Sequence, residues 1–225
     1  MIRKKLIRLI KKITVSLVLV FTLATPFYTL KAYVPEQYVL KESSINYNIP
    51  TKKILLDLAH HDTANDKGCS FGEYNEREIA ENISLKVKEI LENKGITVEL
   101  TREKEDVISI ADRIVLANSN EYDYYISIHV NSTEIENKGT GIEAFSNDAW
   151  SLSNSVLKEL VNEFGYENRG IFSSGFYNRR INTKSTILEI GFLNNEFDRN
   201  NLINHQDRYA ECIANGIYEQ LMREQ

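Results

Sequence analysis

A short apolar run early in the chain ends in an aspartate and two histidines, and it reads Lys53-Ile54-Leu55-Leu56-Asp57-Leu58-Ala59-His60-His61. The apolar run over residues 53–58 predicts a buried strand. After a polar loop over residues 61–75, apolar residues recur at helical spacing from Glu76 to Lys94, which predicts an amphipathic helix. Gly95 is placed to cap the end of that helix. The order strand, loop, helix is the repeating unit of an α/β fold.

The same alternation continues along the rest of the chain. Further strands are predicted at residues 96–101, 124–128, 141–145 and 186–188, and further helices at residues 109–118, 151–164 and around 209–221. Strands that alternate with helices of this length favour a three-layer α/β fold, in which helices cover both faces of a mostly parallel sheet. Sheets of this kind place their chemistry just beyond the carboxyl ends of the strands.

The first 32 residues differ in composition from the rest and predict a targeting segment. They hold seven Lys and Arg residues and no acidic residue, which leaves 20 basic and 32 acidic residues in the remaining chain. A cationic start, an apolar run over residues 13–24 and the sequence Leu30-Lys31-Ala32 are typical of a signal peptide with a cleavage site. Because no charged residue interrupts residues 13–30, an uncleaved membrane anchor is the alternative. Either segment predicts export to the cell wall, the extracellular space or the outer face of the cytoplasmic membrane.

The remaining sequence predicts a linker over residues 33–51 and one domain over residues 52–225. The whole chain has a formal net charge of −5, which excludes the strongly basic composition of a typical nucleic-acid-binding protein. An exported chain could form a disulfide between its two cysteines, Cys69 and Cys212. Two cysteines make no disulfide framework, and the sequence favours two free thiols.

Polar residues at the predicted strand ends are the candidate functional residues. His60 and His61 follow the first strand, His129 follows the strand that starts at residue 124, and Glu189 follows the strand at residues 186–188. Glu76 begins the first helix. Two histidines and a carboxylate that meet at one sheet edge are typical of a zinc site with water in the open position. A further carboxylate could act as a general base. Such residues also occur at strand ends without any metal, so the pattern alone leaves both interpretations open.

Several short motifs, in this order and spacing, carry a resemblance to a known family. They are Leu56-Asp57-Leu58-Ala59-His60, Glu76, Leu100-Thr101-Arg102, Arg113 with Ala117-Asn118, Ser127-Ile128-His129-Val130-Asn131, Gly139-Thr140-Gly141-Ile142-Glu143 and Leu188-Glu189-Ile190-Gly191-Phe192-Leu193-Asn194. Together they resemble the zinc-dependent N-acetylmuramoyl-L-alanine amidases of the amidase 3 type, over residues 52 to about 222. The resemblance implies a roughly six-stranded sheet, one zinc ion and peptidoglycan as the substrate.

The resemblance also implies roles for individual residues. His60, Glu76 and His129 fall at the metal-ligand positions of the family, and Glu189 falls at its catalytic glutamate. The bond cut would be the amide that joins N-acetylmuramic acid to the L-alanine of the stem peptide.

The chain has Asp57-Leu58-Ala59-His60-His61 where the family pattern is Asp-Pro-Gly-His-Gly. Ala59 adds a Cβ where glycine leaves space for the backbone. His61 is expected to compete for the metal, to contact substrate or to face solvent. Asp57 is expected either to hydrogen-bond a ligand imidazole or to form a turn at the strand end. Asn131 is expected to contact substrate or to fix the loop after His129.

Two other functions stay open for the same residues. A zinc carboxypeptidase acting on stem peptides could use the same three ligands, and an amidase domain without activity could bind the wall or a partner protein. Between Asn131 and Gly139 there is no room for the helical insertion that blocks the active site in some members of the family, and the need for an activator is open. The exported single-domain layout is similar to that of amidases of sporulation, germination or wall remodelling.

Overall fold

The structure is a computed structural model that describes residues 52–61, 66–104, 106–119 and 121–224. The predicted targeting segment, residues 1–32, and the predicted linker, residues 33–51, both lie outside the described residues. In the described parts of the chain, no helix has both the length and the apolar character needed to cross a lipid bilayer.

The described residues contain eight strands and five α-helices. The strands are β1 (Lys53–Asp57), β2 (Ser70–Phe71), β3 (Tyr74–Asn75), β4 (Thr97–Leu100), β5 (Tyr124–Asn131), β6 (Ile142–Asn147), β7 (Asn168–Ser173) and β8 (Lys184–Phe192). The helices are α1 (Glu76–Asn93), α2 (Ile110–Ser119), α3 (Trp150–Phe164), α4 (Glu196–Asn204) and α5 (Gln206–Arg223), and a short 3-10 helix covers Tyr177–Arg180.

Six of the strands form one sheet in the order β4-β1-β5-β8-β6-β7. The first four are parallel to one another, β6 runs antiparallel to β8, and β7 is parallel to β6. The prediction of a mostly parallel, roughly six-stranded α/β sheet is therefore confirmed. β2 and β3 form a separate antiparallel hairpin within the polar loop before α1.

The two faces of the sheet are covered unequally. Ile54 and Leu56 of β1 belong to the larger core, together with the apolar faces of α1, α3 and α5. Leu55 points to the other face, because successive side chains of a strand alternate. There it joins a smaller cluster with Tyr125 and residues of the short helix α2. The predicted three layers are present, with the three long helices all on one side.

The structure extends the predicted elements and adds some that the sequence pattern did not indicate. β5 continues to Asn131 and β8 covers residues 184–192, so both strands carry their polar residues within the sheet rather than after it. β7, α4 and the β2–β3 hairpin were not predicted. β7 is an edge strand with exposed or half-buried residues throughout, so it has no apolar run to reveal it.

Candidate metal centre

Three of the predicted ligands meet at the carboxyl ends of β1 and β5. Oε1 of Glu76 lies 3.0 Å from Nε2 of His60 and 2.9 Å from Nδ1 of His129. One ligand atom from each of the three residues can be chosen so that all lie within 4.8 Å of one another. Ligands held about 2.0–2.1 Å from a tetrahedral ion lie roughly 3.3 Å apart. The spacing therefore suits a single small metal ion.

The carboxylate of Glu76 is fixed by backbone groups on both sides. Its Oε2 accepts a hydrogen bond from the backbone N of Cys69 at 2.8 Å, and its Oε1 accepts one from the backbone N of Val130 at 3.1 Å. A side chain at Gly68 would clash, because a Cβ there would lie 2.5 Å from Oε2 of Glu76. Burial alone would raise the pKa of Glu76, but the neighbouring imidazoles of His129 and His60 hold it well below its usual range. The group is therefore ionised and ready to bind a cation.

The imidazole of His60 is oriented by Asp66. Its Nδ1 lies 2.6 Å from Oδ1 of Asp66, and the other ring nitrogen faces Glu76. Burial lowers the pKa of His60, but the carboxylates of Glu76 and Asp66 outweigh it and raise this pKa to about 9. The surroundings thus favour positive charge at this point, which a divalent ion also supplies.

The backbone around His60 has an unusual conformation that two arginines hold in place. His60 has a φ of 59°, in the left-handed region. Its carbonyl oxygen accepts hydrogen bonds from Nε of Arg102 at 2.9 Å and from an amino group of Arg113 at 3.1 Å. Both guanidinium groups also bind the carbonyl oxygen of Leu58. These arginines therefore tie the loop of His60 to the segment that follows β4 and to helix α2.

Glu189 lies beside this cluster without belonging to it. It is the register partner of His129 across β5 and β8, so the two side chains lie on the same face of the sheet. Burial raises the pKa of Glu189 to about 7, with the nearby imidazole of His129 acting in the opposite direction. A carboxyl group with a pKa near neutrality can both accept and release a proton.

Three residues of this site carry buried polar atoms without partners. Oε2 of Glu189, Nε2 of His129 and Nε2 of His60 are buried and form no hydrogen bond with any described residue. The His60 nitrogen lies 3.0 Å from Glu76 but lacks the alignment of a hydrogen bond. Buried polar groups are almost always hydrogen-bonded, so three unpartnered atoms on neighbouring residues indicate a missing ligand. A metal ion with a bound water fits both the donor set and these unpartnered atoms.

Asp57 does not orient a ligand imidazole, which was one of its two expected roles. It is buried, it pairs with Arg113, and its carboxylate accepts hydrogen bonds from three hydroxyl groups, those of Thr101, Ser127 and Tyr177. Among the described residues, no histidine donates a hydrogen bond to Asp57. The carboxylate that orients His60 is Asp66, which sequence reasoning missed because it lies in an irregular loop outside every recognised motif.

The departures from the family pattern at Ala59 and His61 leave the cluster assembled. Ala59 is buried, and it is not among the described non-glycine residues with positive φ, so its Cβ brings no backbone strain. His61 does not face solvent, since it is buried with its Nε2 3.4 Å from Oδ2 of Asp66. Asn131 fixes its loop, because it donates to Glu143 at 2.9 Å and accepts from the backbone N of Ser132 at 2.7 Å.

A family model described as N-acetylmuramoyl-L-alanine amidase matches residues 54–219, which is most of the chain. The chain belongs to the N-acetylmuramoyl-L-alanine amidase family. This confirms the family and the class of enzyme that the sequence motifs predicted. The match contains all four residues of the site described above and both arginines that hold its loop.

Named relatives of this amidase include two proteins of Bacillus subtilis strain 168. The sporulation-specific N-acetylmuramoyl-L-alanine amidase is 27% identical over 172 residues, which cover 73% of this chain and 64% of that protein. The germination-specific N-acetylmuramoyl-L-alanine amidase is 26% identical over 192 residues, which cover 76% of this chain and 79% of that protein. Among solved structures, an N-acetylmuramoyl-L-alanine amidase from Clostridium difficile 630 has a TM-score of 0.71 and 30% identity, and covers 78% of this chain and 99% of its own.

Proposed function

We propose that this amidase hydrolyses the amide between N-acetylmuramic acid and the L-alanine of the peptidoglycan stem peptide, with one zinc ion held by His60, Glu76 and His129. The observation that carries the proposal is the clustering of ligand atoms of His60, Glu76 and His129 within 4.8 Å of one another, beside buried polar atoms that lack partners. Membership in the amidase family supplies the bond that is cut.

Zinc suits this set of donors better than other common ions. Imidazole nitrogen and carboxylate oxygen are typical zinc ligands, and three protein ligands leave a position open for water or substrate. Bound zinc supplies Lewis-acid polarisation of a carbonyl group and lowers the pKa of a water molecule to about 7. The chain contributes a rigid frame, because hydrogen bonds fix both Glu76 and His60 before any ion binds.

Glu189 is the group that moves protons in this proposal. Its Oε2 has no partner among the described residues and lies on the same face of the sheet as His129. In the attack on the amide carbonyl, Glu189 accepts the proton of the water nucleophile. It then delivers that proton to the nitrogen of the leaving L-alanine, which breaks the C–N bond. A raised pKa suits both steps, since the group gives up a proton as readily as it accepts one.

Asp57, Arg102 and Arg113 contribute by holding the loop that carries His60. Their side chains are buried and bind the backbone and hydroxyl groups around it, so they do not present themselves to substrate. Positioning of this kind matters, because small displacements of a catalytic group reduce rates strongly.

The proposal is tested by mass spectrometry of purified peptidoglycan after digestion. New L-alanine amino termini together with intact glycan chains are expected from the zinc-loaded chain, and none from Glu189→Gln. Release of D-alanine would identify a carboxypeptidase instead, and the absence of either product would identify a binding domain without activity.

We also propose that residues 1–32 export the domain, so that it acts at the cell wall in sporulation, germination or wall remodelling. The cationic start and apolar run support export, and the named relatives support the process. A chain shortened to begin at Tyr33 should be soluble and active, because the first strand begins only at Lys53. An insoluble or inactive product would show that residues 1–32 contribute to the fold. Whether they are cleaved or anchor the chain is decided by sequencing the amino terminus of the exported protein.

A further inference from the structure

A β-bulge between β6 and β7 turns Arg169 toward the active-site face of the sheet. The register shifts from Ile142 opposite Asn168 to Glu143 opposite Gly170. Arg169 is therefore the extra residue of the bulge, with no residue of β6 paired to it. Gly170 has a φ of 113°, which side-chain-bearing residues rarely adopt. Bulges often redirect a side chain beside an active site. The backbone here is therefore built to place this arginine.

Glu143 binds the guanidinium of Arg169 on the face of the sheet that carries Glu189. Glu143 is the register partner of Glu189 across β6 and β8, and adjacent strands lie about 4.8 Å apart. Glu143 is buried, and its two oxygens are both engaged, one by Nδ2 of Asn131 at 2.9 Å and the other by Nε of Arg169 at 2.7 Å. The arginine is further supported by the ring of Phe192, whose centroid lies 5.0 Å from its guanidinium carbon.

Arg169 still has binding capacity that these contacts do not use. Its side chain is 37% exposed, and among the described residues it makes one side-chain hydrogen bond, through Nε. The two terminal amino groups are left for another acceptor. A guanidinium fork matches a carboxylate in shape and charge. The neighbouring carboxylates of Glu76, Glu143 and Glu189 would otherwise repel an anionic peptide. A cation at this position offsets that repulsion and favours binding of an anionic peptide.

We propose that Arg169 binds a carboxylate of the stem peptide, on the residue that follows the L-alanine of the scissile amide. This inference rests on the proposed function, since it names the part of the same substrate that the site recognises. Arg169 is a specificity-determining residue that holds the leaving peptide while Glu189 acts on the amide beside it. Glu143 and Asn131 position it.

The test uses two synthetic muramoyl peptides that differ only in carrying a carboxylate or a carboxamide on the residue after L-alanine. Binding is measured by calorimetry with the full zinc-loaded chain that carries Glu189→Gln, so that neither peptide is cut. The carboxylate peptide is expected to bind roughly 10- to 100-fold more tightly, the range for a charge-assisted hydrogen bond. Adding Arg169→Gln should reduce this preference to less than about threefold.

Two further variants separate recognition from a merely structural role. Arg169→Lys keeps the charge but loses the fork, so it should retain part of the preference even if Arg169→Gln lowers the unfolding midpoint. Arg208→Gln is the matched control, because Arg208 is also an exposed arginine paired with a glutamate, Glu163, and should leave the preference intact. The proposal is overturned if Arg169→Gln weakens both peptides equally, if the parent shows no preference, or if neither peptide binds.

A failure of this inference can be distinguished from a failure of the proposed function. A chain that prefers the carboxylate peptide through Arg169 but yields no L-alanine amino termini from peptidoglycan would disprove the amidase proposal alone. A chain that cuts the amide without distinguishing the two peptides would disprove the role of Arg169 alone.

Discussion

Nδ1 of His60 lies 2.6 Å from Oδ1 of Asp66, and the opposite ring nitrogen of the same imidazole lies 3.0 Å from Glu76. A carboxylate on one side of an imidazole fixes the tautomer and the orientation of the ring, so that the other nitrogen is presented to a metal. The left-handed backbone of His60 makes this geometry possible, and the arginines that bind its carbonyl oxygen maintain it.

Replacing Asp66 by alanine should weaken zinc binding without unfolding the chain. Loss of such a supporting carboxylate typically costs 10- to 100-fold in metal affinity. The measurement is competition with a chelator of known affinity, followed at constant pH. Asp207→Ala is the control, because this exposed aspartate pairs with Lys86 away from the site. Equal affinities for the parent and Asp66→Ala would show that His60 needs no partner to bind the ion.

Substitution of the adjacent histidines His60 and His61 should have opposite results: the His60 variant loses zinc and the His61 variant keeps it. His60→Ala and His129→Ala each remove one of three protein ligands, and both should lose stoichiometric zinc. His61→Ala should retain one zinc per chain, because its imidazole lies against Asp66 and outside the ligand cluster. Metal analysis of the three purified variants decides the matter. Stoichiometric zinc in His60→Ala together with its loss in His61→Ala would show that His61, and not His60, is the metal ligand.

The buried pair of Asp57 and Arg113 should contribute strongly to stability. Arg113→Met leaves the carboxylate of Asp57 buried without its counter-charge, and breaking a buried pair in this way costs about 3–5 kcal/mol of unfolding free energy. Urea unfolding at pH 7 measures the loss. Arg208→Met, at an exposed ion pair, should change the free energy by less than about 1 kcal/mol. Similar losses in the two variants would contradict the importance assigned to the buried pair.

The contribution of Asp57 should also depend on pH. Burial by itself would raise the pKa of Asp57, but Arg113 and the hydroxyl groups of Thr101 and Ser127 lower it below its usual value. Because the folded-state pKa lies below the unfolded-state value of about 3.9, the stabilisation is complete above that value and is lost as the pH falls through the folded-state pKa. The gap in unfolding free energy between the parent and Asp57→Asn should therefore be constant from pH 7 to pH 5 and shrink below about pH 4. A gap that does not change down to pH 3 would show that the carboxylate contributes no charge-dependent stability.

The sequence was sufficient for elements that have a continuous pattern. The apolar run of β1 and the helical stripe of α1 predicted both elements to within one residue of their observed ends. β7 was not predicted because an edge strand needs no apolar face. α4 was not predicted because its nine residues show almost no amphipathic pattern. Burial produces the pattern that sequence reasoning detects, so peripheral elements are the ones it misses.

Within the site, the four residues at strand and helix ends were predictable, but the groups that support them were not. His129 and Glu189 stand out in the sequence because each interrupts an apolar strand. Asp66 is one acidic residue among several in an irregular loop, and only the folded backbone brings it to His60. Asp57 could be recognised as a strand-end aspartate, but its partner Arg113 lies 56 residues away in sequence. Long-range pairing of this kind leaves no local signal.

The two carboxylates Glu76 and Glu189 should separate metal binding from proton transfer. Glu189→Gln should keep zinc and fold but lose amide cleavage by at least ~10²–10⁴-fold, the usual contribution of a general base. The loss of activity should exceed that range because, in the proposed mechanism, Glu189 also protonates the leaving amine. Glu76→Gln should instead weaken zinc binding, since it replaces the charged ligand that both imidazoles face, and excess zinc should restore part of its activity.

Glutamine is nearly isosteric with glutamate, so packing should survive in both variants, and unfolding midpoints serve as the control. The decisive comparison sets zinc content beside turnover for each protein. In the structure Glu76 touches both histidines, whereas Glu189 shares only the sheet face with His129 and keeps an oxygen without a partner. A metal-free Glu189→Gln beside a metal-replete, inactive Glu76→Gln would reverse the two roles. Such a result would mean that the oxygen of Glu189 binds the ion and that the proton is carried by Glu76.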